Sequence, residues 1–167
     1  MRKTKVIYIS FLILFSIKAG AQTSALSMAD SLYALGNYTS AINAYAKVGD
    51  EKSNLQIARA YNAIGNFDKS ITQYTTILAK NPELHLARFE LGKLLLKIKN
   101  YASAMEMFQV LTSSEQQNPE YFYYLGRTYE SLDKTDKSNK AFKTAVEMDS
   151  THLRSLYALG KYYVGQE

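Results

Sequence analysis

A dipeptide recurs along this chain at a constant interval. Leu91-Gly92 reappears as Leu125-Gly126 and as Leu159-Gly160, each 34 residues on, and the same step back lands on Ile57-Ala58. Three residues after each small residue stand Tyr61, Leu95, Tyr129 and Tyr163. A second series keeps the step: Ser70-x3-Tyr74, Ala104-x3-Phe108 and Ser138-x3-Phe142, followed by Ile77, Leu111 and Ala145. An earlier copy, Met28-Ala29-x2-Leu32 with Ala41-x3-Tyr45 and Val48, is displaced by 29 residues, so the connection near Gly49-Asp50 is shorter. Self-similarity at a fixed period of this size marks a repeat architecture, and a single unit of such an array cannot bury its apolar face alone.

Each half of the unit has helical spacing. Asn54, Ile57, Ala58 and Tyr61 fall at i, i+3, i+4 and i+7, one face of a helix. The small residue lets a neighbouring helix approach closely. Gly36-Asn37, Gly65-Asn66 and Lys99-Asn100 are turn signals between the halves, and Asn81-Pro82 and Asn118-Pro119 lie near the joins between units. Two prolines and eight glycines in 167 residues favour long helices over a loop-rich β fold.

The pattern resembles the tetratricopeptide repeat, a helix-turn-helix unit of 34 residues. The W-x2-L-G-x2-Y motif of that family reads here as Phe122-x2-Leu125-Gly126-x2-Tyr129 and as Leu156-x2-Leu159-Gly160-x2-Tyr163, and its A-x3-F motif as Ala104-x3-Phe108. The chain has no tryptophan, and the late proline is matched only by Pro82. The resemblance implies an all-α, right-handed superhelical solenoid whose first helices line a concave groove. The units are expected at about 22–50, 51–84, 85–118 and 119–152, with a lone helix at about 153–164. That last helix carries Leu156, Leu159, Tyr162, Tyr163 and Val164 with no second helix after it, so this end is expected either to continue in a longer protein or to pack on a partner or a second copy.

Residues 1–21 read differently. Arg2, Lys3 and Lys5 precede an apolar run from Val6 to Ile17, and Ala19-Gly20-Ala21 follows, which is the tripartite pattern of a secretory signal peptide with cleavage expected before Gln22. A membrane anchor is the alternative, but a spanning helix needs about 20 apolar residues. The expected destination is the periplasm or the exterior. Removing Arg2, Lys3, Lys5 and Lys18 leaves 16 of the 20 basic residues against 15 acidic ones, so the whole-chain charge of +5 falls to +1. A nucleic-acid partner, which needs a basic surface, loses its support.

Absence of cysteine excludes a disulfide framework, cysteine-ligated zinc and a cysteine nucleophile. The histidines, His85 and His152, have no second histidine or carboxylate at metal-ligand spacing and are expected at the surface. No phosphate loop, nucleotide fingerprint or nucleophile elbow occurs. No enzyme activity, cofactor, metal or small-molecule substrate is expected.

A second ladder lies on the helix face turned away from the core stripe. One residue after each small residue comes Arg59, Lys93, Arg127 and Lys161, and four residues earlier stand Leu55, Phe89, Tyr123 and Tyr157. Pairs at i and i+4 are neighbours on a helix. In the first unit Leu26 and Asp30 take these places, so the basic row begins in the second. In the family this face looks into the groove. These eight residues are the candidate site for a protein or peptide segment with acidic and apolar side chains. Two alternatives stay open: a face that is only solvated, and a purely structural spacer or assembly module.

Overall fold

The computed structural model describes residues 23–114 and 118–164, and helices are the only regular elements among them. They are α1 (23–34), α2 (Tyr38–Val48), α3 (Glu51–Ala63), α4 (Phe67–Lys80), α5 (His85–Lys97), α6 (Tyr101–Thr112), α7 (Pro119–Glu130), α8 (Thr135–Met148) and α9 (Leu153–Val164). The segment expected to be a signal peptide lies outside the described residues. The chain divides within α4 into two compact units, whose described residues are 23–77 in the first and 78–114 with 118–164 in the second.

One turn geometry closes every hairpin. The amides of Asn37, Asn66, Asn100 and Lys134 donate to the carbonyls of Leu32, Tyr61, Leu95 and Tyr129. The preceding residue is left-handed each time: Gly36, Gly65, Lys99 and Asp133, with φ of 77°, 76°, 64° and 55°. This is the Schellman closure, which satisfies carbonyls orphaned at a helix end. Glycine adopts the left-handed conformation at no steric cost, whereas Lys99 and Asp133 must be held there by the bonds around them. Helix starts are fixed by side chains that take up free amides: Asp50 accepts from Ser53 N at 2.7 Å and Asn118 from Glu120 N at 2.9 Å.

The small residue and the aromatic one meet. In the first unit Ala58 is buried on α3, and Ser70 Oγ of α4 donates to its carbonyl at 2.8 Å. Tyr74 and Ile77 complete that buried face. Upstream, Ala29, Ala41, Tyr45 and Ile57 form one core cluster, flanked by Leu26, Leu32, Ile42 and Tyr61. In the second unit a methyl group at Gly92 would lie 2.8 Å from Phe108 Cε1, and one at Gly126 2.5 Å from Phe142 Cε1. Both distances are below van der Waals contact, so in these two hairpins only glycine admits the ring. Ser138 Oγ donates to the Gly126 carbonyl at 2.9 Å, repeating the bond of the α3–α4 hairpin.

Tyr61 is half-buried against the core cluster of the first unit and Tyr129 is half-buried at the equivalent register, with Lys69 and Lys137 over the two rings at 5.5 and 6.0 Å. One expectation is corrected. Both histidines, expected at the surface, are largely enclosed. The His152 side chain is 9% exposed, with Nδ1 2.9 Å from Ser155 Oγ and Nε2 3.3 Å from Glu120 Oε1, and that of His85 is 14% exposed. His152 is enclosed because Tyr123, Ser155 and Glu120 surround its ring.

Candidate protein-binding face

The eight ladder residues divide between the two units. In the first, α3 carries Leu55 and Arg59. Leu55 is 8% exposed, more core than surface. Arg59 is half-buried, and its Nη1 donates to Gln56 Oε1 at 3.1 Å. Asp30, which takes the cation's register on α1, accepts a 2.6 Å hydrogen bond from the Tyr45 hydroxyl. Burial first, and then that carboxylate, pushes the Tyr45 hydroxyl well above its ordinary pKa. The acidic departure in the first repeat therefore has an intramolecular use.

In the second unit α5, α7 and α9 supply the remaining six residues, and the helices bring most of them together. Lys93 Nζ lies 5.3 Å from the Phe89 ring centre and 5.6 Å from that of Tyr124. Tyr124 packs edge-on against Tyr123 at 5.2 Å. Arg127 Nη1 donates to the Tyr123 hydroxyl at 3.1 Å, and Arg127 Nε is 3.2 Å from Glu130 Oε2. Lys161 Nζ, one repeat on, reaches Glu130 Oε1 at 3.1 Å. A continuous path of cations, rings and one carboxylate thus runs from Lys93 to Lys161. The Tyr123 hydroxyl is the main influence pushing Arg127 further above its ordinary pKa, so this cation does not titrate near neutrality.

Presentation along the path is uneven. Phe89 is half-buried among Phe108, Tyr121 and Tyr124, with ring centres 6.1, 5.2 and 5.3 Å away. Tyr123 is 9% exposed, wedged against Phe142 and His152. Tyr157 is open to solvent. The apolar row expected to face a ligand is thus mostly packed, while Lys93, Arg127 and Lys161 are exposed. A helical side chain 100° or more from the core stripe still meets the next helix when repeats stack on both sides of it.

Four further residues shape this face. Tyr124 joins Lys93 to Tyr123, and Glu130 joins Arg127 to Lys161. Glu120 accepts from Arg154 Nη1 at 3.2 Å, and the Arg154 guanidinium stacks 5.7 Å from Tyr123. Glu120 and Arg154 occupy one register 34 residues apart, so opposite charges at equivalent places in adjacent units were the available signal. Chemically the face can donate to carboxylates and offer ring edges, with Glu130 and Glu120 as internal competitors. Among the described residues no group of three His, Cys, Asp or Glu side chains could hold a metal ion.

Comparison with known proteins agrees with this geometry. Three family models described as tetratricopeptide repeat match residues 24–51, 55–122 and 119–152. No curated protein matches the chain. Among solved structures, MamA 41-end from Desulfovibrio magneticus RS-1 superposes with a TM-score of 0.77 at 20% identity, over 87% of this chain and 85% of that one. A tetratricopeptide repeat protein from Parabacteroides merdae gives 0.74 at 16% identity, over 86% and 58%. YrrB, described as a TPR protein with an unusual peptide-binding site, gives 0.72 at 16% identity, over 84% and 75%. At these identities the likeness is one of fold. With repeat models matched along most of its length and an all-α hairpin array to carry them, the chain belongs to the tetratricopeptide-repeat family.

Proposed function

We propose that this protein is an exported interaction scaffold that holds an extended segment of a partner protein, rich in carboxylates and apolar side chains, on the first-helix face of its repeats. The observation that carries the reading is the path Lys93–Tyr124–Tyr123–Arg127–Glu130–Lys161, in which exposed cations sit beside fixed rings. Rings held by packing offer contact area at little entropic cost, and cations over ring faces select anions without a deep pocket. The peptide-binding site of YrrB supports a peptide as the ligand class. An extended segment loses entropy on binding, so affinity is expected to be about micromolar.

Reversing Arg59, Lys93 and Arg127 to glutamate together tests this. Capture of the natural partner from an envelope extract should fall at least about tenfold, a loss of roughly 1.4 kcal/mol. The helical circular dichroism of the variant should stay at the parental level. Because Arg127 and Lys161 already share the Glu130 carboxylate, a face that is merely solvated is the competing reading. Unchanged capture by a folded variant would favour it, and with it a spacer or assembly role.

Export rests on residues 1–21: the cations Arg2, Lys3 and Lys5, the apolar run Val6 to Ile17, and Ala19-Gly20-Ala21. The mature protein is expected to begin at Gln22 and to occupy the periplasm or the exterior. Intact-mass measurement of protein from its native cell decides this, since a retained segment 1–21 contradicts it.

A further inference from the structure

The second helix of the fourth hairpin breaks local preferences that its sister helices keep. Lys134, Lys137, Lys140 and Lys143 follow one another at three-residue steps along α8, and all four are exposed. Each step rises about 4.5 Å and leaves neighbouring Cβ atoms about 5–6 Å apart, so the ammonium groups form one row. The row works against the helix that bears it. Like charges three residues apart repel. Lys134 is the N-cap residue and Lys137 lies in the first turn, where the helix dipole disfavours a cation. Before α4 and α6 the cap position holds Asn66 and Asn100, whose side chains accept from Lys69 N and Ser103 N at 3.3 and 3.4 Å. Lys134 has nearly the backbone conformation of Asn100 but no side-chain acceptor to offer. The other three places hold Lys69, Thr72 and Thr75 on α4 and Ser103, Glu106 and Gln109 on α6, so only α8 concentrates the charge. Little offsets it. Lys137 rests over the Tyr129 ring at 6.0 Å, and Lys143 meets Glu147 at 3.9 Å in an exposed pair of small worth. The row is open because of where it lies on the helix: Asn100, Glu106 and Gln109 are exposed too, although a whole hairpin follows them.

We propose that the lysine row of α8 docks the protein on an anionic lipid surface. Departures from local preference that bring no structural return mark a functional surface, and the chemistry of this one selects the partner. All four cations are lysines, point charges on flexible stems, and none is an arginine, whose planar fork suits fixed carboxylates and phosphates. The one ring of α8, Phe142, is buried and offers no platform for a nucleic-acid base or a peptide side chain. A row of mobile point charges matches headgroups that move laterally to meet it. Each lysine near a charged leaflet adds attraction, which salt screens within a Debye length. The row lies on a second helix and the ladder on first helices, so docking by the row leaves the ladder unused and does not rest on it.

The protein isolated from its native cell is sedimented with vesicles of phosphatidylglycerol and phosphatidylcholine in equal parts, and with vesicles of phosphatidylcholine alone. At low salt it should partition at least tenfold more strongly onto the mixed vesicles, and rising salt should release it. The variant Lys134→Asn, Lys137→Ser, Lys140→Thr, Lys143→Gln gives α8 residues of its sister helices. It should lose at least tenfold of that partition without a fall in melting temperature, since Lys134→Asn restores the missing cap. Equal partition of parent and variant overturns the proposal, as does equal partition of the parent on the two kinds of vesicle. Poly-glutamate that binds the parent while mixed vesicles do not overturns it too, since an acidic polypeptide would then be the occupant. A lowered melting temperature of the variant would show that the row serves the fold, and overturns the proposal as well.

Discussion

Truncating Phe108 to alanine is expected to cost about 3–5 kcal/mol of unfolding free energy, the range for deleting a fully enclosed ring. Phe108 has no exposed surface and stands where three elements meet. It covers Gly92 on α5, meets Phe89 edge-on at 6.1 Å, and stacks on Tyr124 of α7 at 5.7 Å with its plane tilted by 21°. The neighbours cannot collapse into the gap, because Phe89 and Tyr124 are held by further rings and by Lys93. Domains of this size hold about 5–15 kcal/mol in all, so the loss removes a large share of the total. In a repeat array the damage should fall mainly on α5–α7, where those contacts lie. Urea unfolding followed by circular dichroism gives the number. A loss below about 1 kcal/mol would mean that the ring is not the keystone of this join.

Leucine at Gly126 is expected to cost about 1–3 kcal/mol, the usual penalty for forcing extra carbons into a filled site. Even a methyl group there meets Phe142 at 2.5 Å, and Phe142 is itself 2% exposed with Tyr123 at 5.8 Å behind it. The same substitution at Gly160 is the internal control. It finds empty space, and removing glycine from a helix gains up to about 1 kcal/mol of propensity. Thermal melts of the two variants should therefore move in opposite directions from the parent. If both fall equally, the cost comes from the loss of glycine itself and not from the ring that it admits.

The repeat made the helix pairs legible because three kinds of position (small, aromatic and turn) share one register. A shared register is hard to satisfy by any fold other than stacked hairpins. Gly36-Asn37, Gly65-Asn66 and Lys99-Asn100 announced their turns, but the fourth closure, at Asp133-Lys134, has no glycine or asparagine to announce it. Its left-handed residue is held by hydrogen bonds that only the folded turn provides. The site was less legible. Sequence spacing identified which residues leave the core stripe, and Lys93, Arg127 and Lys161 do reach solvent. It did not show that Tyr123 and Leu55 pack inward, because burial there depends on what surrounds each first helix rather than on its own periodicity. Nor did it show that Glu130 lies between two rungs of the ladder, a contact between side chains 31 residues apart in the chain. The histidines were misjudged for the same reason: an isolated His152 carries no sign of Glu120 waiting 32 residues upstream.

The bonds that close each hairpin join near neighbours in the chain. Ser70 and Ser138 reach carbonyls 12 residues back, and Tyr45 reaches Asp30 across 15. Little chain entropy is lost in closing loops so short, and helical chains built from local contacts fold within microseconds to milliseconds. Each hairpin can therefore close on its own contacts without waiting for distant parts of the chain, and the array is suited to assemble hairpin by hairpin along its length.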